Sequence, residues 1–324
     1  MTSTSPTTLP AAGLPPQPSV PHSAPSRSKK VLRAVLLLFV FAVLVLAGVL
    51  AWVVGTEDGL RFGLYRVPAW FGVGISSKSL NGTLLKGFNG ESWQIQTADA
   101  DIDISSLTFA WRAEELWQKR LHIQRLALGD IHIQSKPTPP KEKKPSKMPA
   151  NLDLPFAVAV DSLEVGQVTS GKKHTLILHQ TRLNYQYDRR QHVLGVEAIQ
   201  SPWSTSHGRI SLESAAPFKL DGHLTSSGEL NDIPISSRTD ASGSLSALSL
   251  NSLMTGRGVD LKTDIRIHPF GNGLDELVEQ VQIKGKGLNP KAFIPTAPRA
   301  DLEFDATLLP SGNKGLALEG SVDL

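Results

Sequence analysis

Apolar residues along this chain follow two regimes. Residues 34–54 form one run of 21 residues without a polar side chain, 15 of them Leu, Val or Phe. Beyond it, apolar and polar residues alternate in short segments separated by Gly, Asn, Ser and Pro. The first regime predicts a transmembrane helix. At 1.5 Å per residue it covers roughly 31 Å, about the hydrocarbon thickness of a bilayer. Its Leu, Val and Phe residues favour insertion by roughly 5–9 kcal/mol. A soluble helix would show a polar stripe, and this run shows none.

The second regime predicts strands and turns. It is preceded by a short membrane-proximal helix and linker over residues 55–79, where Leu60, Leu64 and Val67 recur at helical spacing with Phe62 beside them. That helix should stop near Pro68. From residue 80 onward roughly 14–18 strands fit, which would extend about 70–85 Å if stacked along one axis. Only residues 112–120 look helical in this region, with 275–281 ambiguous. Helix and strand do not alternate as a parallel sheet would require. The expected fold is mainly β: an N-terminal transmembrane helix followed by a long, curled antiparallel sheet.

The segment 121–133 shows how one face of that sheet is made. Leu121, Ile123, Leu126, Leu128, Ile131 and Ile133 are apolar, in pairs five residues apart. Side chains alternate faces along a strand, so a regular strand would put Leu126 opposite Ile123. A one-residue bulge or tight turn between pairs restores a single apolar face, and Gly129-Asp130 is a natural place for one. Phe156, Val158 and Val160, then Leu163 and Val165, repeat the shift. These eleven residues are the expected groove lining. The face needs cover; a second sheet, closure into a barrel, or lipid chains would each supply it.

Charge sets orientation and removes one class of partner. Arg27, Lys29, Lys30 and Arg33 precede the apolar run with no acidic residue before them, and Glu57 and Asp58 follow it. The positive-inside rule places the N-terminus in the cytoplasm and the bulk across the membrane in a single pass. The run exceeds the usual apolar core of a cleaved signal peptide. Residues 1–33, Pro/Ser/Thr-rich, read as a disordered basic tail. Residues 136–150 form a Pro/Lys-rich extended loop between two β segments, 80–135 and 151–324. Residues 1–33 and 136–149 each carry +4, so against a total of +3 the remainder is −5. A basic pI near 9.0 therefore does not indicate nucleic acid, whose binding needs clustered positive charge on the fold itself.

Candidate chemistry is sparse. There is no Cys, hence no thiolate nucleophile and no disulfide. Asp101 and Asp103 share a strand face and read as a solvated outer surface. His122 and His132 alternate against the apolar ladder and point outward; His174 and His179 fall on opposite faces. The Gly271/Gly273 and Gly285/Gly287 pairs lack the strand-to-helix context of a nucleotide fingerprint. No nucleophile elbow or zinc-protease helix is present. No catalytic, metal or cofactor role is expected.

Particular segments resemble the TamB branch of the AsmA-like family. They are the anchor and its exit (Val53 to Leu60), the run Leu80 to Phe88, then Ile102, Ile104, Leu107 and Trp111, the ladder, and the restart Asn151-Leu152-Asp153-Leu154-Pro155-Phe156 after the charged loop. The order and spacing hold over residues 30–170. The resemblance implies a curled sheet open along one side, with an apolar concave groove, anchored in the bacterial inner membrane and reaching through the periplasm. It implies phospholipid acyl chains as cargo on the way to the outer membrane. It also implies a part in outer-membrane protein (autotransporter) assembly with the barrel partner TamA, through a C-terminal region absent here. The family is usually longer, so 1–324 is expected to be a membrane-proximal portion. The competing expectation is an anchored periplasmic binding or scaffold domain with a closed β core.

Overall fold

The structure is a computed structural model. It describes residues 44, 45, 48–137, 147–230, 233–257, 259–271, 273–288, 291, 296, 298, 300–311 and 315–323. The chain divides into two units, residues 1–50 and 51–324. In the first, residues 44, 45 and 48–50 are helical and exposed. Most of the expected transmembrane helix, its basic flank Arg27, Lys29, Lys30 and Arg33, and residues 138–146 of the Pro/Lys-rich loop lie outside the described residues. Among the described residues no helix is long and apolar enough to cross a membrane.

The second unit begins helical over 51–55 and continues as α1, Glu57–Ala69. The Thr56 side chain accepts from the Gly59 amide, and Glu57 and Asp58 occupy the first turn. Both features stabilise a helix N-terminus, where unpaired amides and the helix dipole favour acceptors and negative charge. The helix ends one residue past Pro68, as the expected stop required.

The rest is one sheet, built in rungs. β1 (Gly74–Ser76) and β2 (Ser79–Thr83) lie end to end along β3 (Gly87–Gln96). β3 pairs with β4 (Ala100–Arg112), and β4 with both β5 (Arg120–Leu128) and β6 (Ile131–Ser135). Next come β7 (Ala157–Val165) with β8 (Val168–Ser170), then β9 (Thr175–Leu178) with β10 (Gln180–Tyr187). Antiparallel neighbours follow one by one: β11 (Gln191–Gln200), β12 (Ser204–Glu213), β13 (Lys219–Leu230), β14 (Ile233–Ser244) and β15 (Ala247–Gly256). β16 (Val259–Ile267), β17 (Val278–Leu288), β18 (Leu302–Pro310) and β19 (Leu316–Asp323) complete it. Counting β1/β2, β5/β6, β7/β8 and β9/β10 as single rungs, the sheet extends about 70 Å at ~4.8 Å per spacing. It is curled and open.

One expectation is corrected. The sheet is not antiparallel throughout: β5 pairs with β7, and β6 with β8, in parallel. A hairpin reverses direction, whereas a long crossover returns the chain to the end where it started. Residues 136–156 make that connection, and they are numerous enough for it: spanning a rung of some fourteen residues takes about as many extended residues.

The phase shifts expected from the sequence appear as bulges and breaks. Trp111 pairs with Ile123 while Ala110 pairs with Arg125, leaving Gln124 as the extra residue of β5. Leu183 pairs with Leu163 and Tyr185 with Val160, which places the matching irregularity of β7 at Asp161-Ser162. Between β5 and β6 the chain bends at Gly129-Asp130. The Asp130 amide donates to Ser105 Oγ at 2.7 Å, and its carboxylate accepts from the Gln167 amide at 2.9 Å. A Cβ on Gly129 would collide with Ser105 and Ser106, so this bend needs glycine for close approach. Within 112–120 a 3-10 helix forms, η1 (Ala113–Gln118), and 274–277 make a single helical turn before β17.

The core lies where α1 meets the first rungs. Leu60, Leu80, Trp93 and Ile104 are each at most 6% exposed, with Leu64, Tyr65, Ile75 and Phe88 packed around them. Each such side chain contributes about 1.5–3 kcal/mol by leaving water.

Candidate apolar groove

Cross-strand register lines up the same face from rung to rung. One row begins Trp111, Ile123, Val160, Tyr185, Leu194 and Ile210. It continues through Gly222, Ala241, Leu250, Ile265, Val281, Leu308 and Leu318. A neighbouring row, the next position on the same face of each strand, runs Phe109, Leu126, Leu163, Leu183 and Val196. The structure thus sets Leu121 beside Val158, Ile123 beside Val160, Leu126 beside Leu163, Leu128 beside Val165, and Ile131 beside Val168. Ile133 neighbours Ile102 on one side and Ser170 on the other. Phe156 differs from the other ten: it precedes β7 and is 41% exposed.

Most of these positions are half-buried, with exposed residues alternating between them; Val196 and Gly222 are buried, and Leu318 is exposed. A partial strap is formed by residues 152–154. The Leu152 carbonyl meets His192 Nε2 at 2.9 Å, and Tyr187 Oη donates to Asp153 at 3.3 Å. Tyr185 Oη lies 2.6 Å from His192 Nδ1, and burial raises the Tyr185 pKa. No Asp, Glu, Lys or Arg stands in the rows traced above.

Charge collects on the opposite face. Arg125–Glu164 (2.8 Å), Arg238–Asp240 (2.9 Å) and Lys284–Asp305 (2.9 Å) are ion pairs there, and Asp101 meets Lys136 at 2.6 Å. Glu164, Asp240 and Asp305 are held below the usual carboxylate range by hydrogen bonds from these partners. His122 also faces this side, yet η1 covers it: it is 7% exposed. Its Nδ1 lies 2.8 Å from Glu115 and its Nε2 2.9 Å from Asp161. The bond to Glu115, then that to Asp161, raises the His122 pKa, and the bond to His122 lowers that of Glu115. This clamp fastens η1 to β5 and β7. Strand parity put His122 outside but gave no sign of the clamp, because its carboxylates lie seven residues before it and 39 after.

Further along the same face, a cavity of about 520 Å³ is lined by Asp103, Asp130, His132, Thr169 and His174, among others. The His132 and His174 rings stack at 3.9 Å. Among the described residues no three His, Asp or Glu are grouped to hold a metal ion.

Residues 46–201 match the family model described as TamB, N-terminal domain. Over these residues the chain is similar to the N-terminal domain of TamB. The TamB match takes in α1 and the rungs from β1 to β11, including the crossover, the paired bulges and the strap; β12–β19 lie beyond it and extend the same rows. No curated protein and no solved structure matches the chain.

Proposed function

We propose that this chain is a non-catalytic, inner-membrane-anchored periplasmic groove that shields phospholipid acyl chains on their way to the outer membrane, as a TamB-like protein. The observation that carries the reading is the apolar row continuing from β4 to β19 with no charged residue and no covering layer among the described residues. Such a face is costly in water unless chains occupy it; each CH₂ moved onto it gains about 0.8 kcal/mol. A closed scaffold core fits less well, since the sheet is open.

Anchoring has its own support. The apolar run 34–54 is long enough to span a bilayer. At its exit, exposed Trp52, Phe62 and Trp70 form an aromatic cluster, with ring centroids 5.9 and 6.5 Å apart. Aromatic rings of this kind favour the membrane interface. The basic flank at 27–33 gives a cytoplasmic N-terminus in a single pass. A role in outer-membrane protein assembly with TamA is the second part of the proposal and rests on the similarity of residues 46–201 to the TamB N-terminal domain.

The test is extraction of the full chain in mild detergent, with bound phospholipid identified by mass spectrometry. Stoichiometric phospholipid that falls in Leu126→Asp and Val158→Asp variants, while circular dichroism stays unchanged, is the expected result. Folded protein free of lipid would refute the reading.

A further inference from the structure

The groove floor changes character where β12–β16 cross it. The row that carries Leu126, Leu163 and Val196 upstream carries Gly208 and Leu224 on β12 and β13, then Thr239, Ser252 and Thr263 on β14–β16. The next row, with Leu128 and Val165 upstream, carries Ser206, Ser226 and Ser237 on β12–β14, then Met254 and Leu261. The six hydroxyl residues are half-buried on the same face. On the other side of this patch Ile210, Leu250 and Ile265 keep their row apolar. A diagonal band of hydroxyls thus crosses the floor beside an apolar lane, while the charged residues stay on the outside.

The hydroxyls are arranged in pairs. Ser206 and Ser226 Oγ are 2.7 Å apart, and Thr239 Oγ1 donates to Ser252 Oγ at 3.0 Å. Two hydroxyls sharing one hydrogen bond leave one O–H donor uncommitted. The two pairs are diagonal neighbours through Ser226, Ser237 and Thr239, about 7–8 Å apart. A second observation points the same way. Thr181, two strands upstream on the serine row, is 6% exposed, and its hydroxyl has no partner. A buried polar group left unsatisfied is unfavourable by about 1–3 kcal/mol, so it calls for an acceptor that the protein does not provide.

We propose that this patch is a binding station for the ester-linked glycerol region of a diacyl lipid, whose two carbonyls accept from the paired hydroxyls while its chains lie along the apolar lane. The inference rests on the groove reading above. A neutral donor set suits carbonyl oxygens, which accept and never donate. The absence of Lys and Arg from this floor argues against a phosphate seat, because phosphate recognition relies on cationic donors. The charged headgroup is then left at the open side, in water.

Competition between two probes tests this. The full chain is equilibrated in detergent with dioleoyl phosphatidylethanolamine and with its dialkyl ether analogue, which lacks both carbonyls. The expected result is a preference of roughly tenfold for the diester. A Ser226→Ala/Thr239→Val variant should abolish it and still bind the diether. Ser236→Ala, on the opposite face, should retain it. Binding of both lipids by the natural chain without preference overturns the station and leaves the groove intact. Binding of neither overturns the groove reading as well.

Discussion

Strands β3–β4 and β12–β16 present apolar faces of the same sheet, but only the first pair has a roof. Against β1–β4, α1 supplies a second layer, and Leu60, Leu80, Trp93 and Ile104 become a true core. Across β12–β16 nothing among the described residues takes that place, and the equivalent side chains stay half-buried. The floor differs accordingly. Large side chains fill the roofed end, whereas Gly222, Ala241, Ser226 and Ser237 leave the open stretch shallow and partly polar. An apolar stripe on a strand thus does not define a protein core until something specific covers it.

The sharpest way to break the contrast is to truncate matched positions. Trp93→Ala, under α1, should destabilise the chain by about 3–5 kcal/mol. Leu250→Ala, on the open floor, should cost less, about 1–2 kcal/mol, because part of its side chain stays in contact with water. Thermal melts followed by circular dichroism measure both, and equal losses would mean that the open face is covered in solution. Next in size is Gly129→Val at the bend between β5 and β6. With no room for a Cβ beside Ser105 and Ser106, it should cost about 1–3 kcal/mol. Hydrogen exchange should localise the loss to β4–β6 and leave β12–β16 protected as before.

Much of this was legible in the sequence. The five-residue spacing of Leu121, Leu126 and Ile131 required irregularities, and they occur at Gln124 and at Gly129-Asp130. Two things were not legible. The parallel joint at β5/β7 depends on where a long loop lands, which periodicity within strands does not encode. The hydroxyl patch depends on register across five strands, so spacing within any one strand does not mark Ser206, Ser237 and Ser252.

A smaller effect probes the outer face, where the His122 clamp holds η1. The His122 pKa is raised above its ordinary 6.5, so its stabilisation is full below that value and fades as pH rises through the raised pKa. The Glu115 pKa is lowered from 4.5, so its share is full above 4.5 and fades as pH falls through the lowered value. Between about pH 4.5 and 6.5 the clamp is strongest. Exchange protection of η1 and β5 should drop on the alkaline side, and His122→Gln should flatten that dependence while α1 and the open floor stay unaffected.

Strand periodicity offers the most direct measurement of whether lipid occupies one face of the open sheet. A photo-crosslinking residue is placed in turn at positions 248, 249, 250, 251 and 252 of β15 in the membrane-embedded full chain, and lipid adducts are read by mass spectrometry. Adducts at 248, 250 and 252 with little at 249 and 251 are the predicted outcome, since successive side chains point to opposite faces. Equal labelling at all five positions, or none at any, would contradict it.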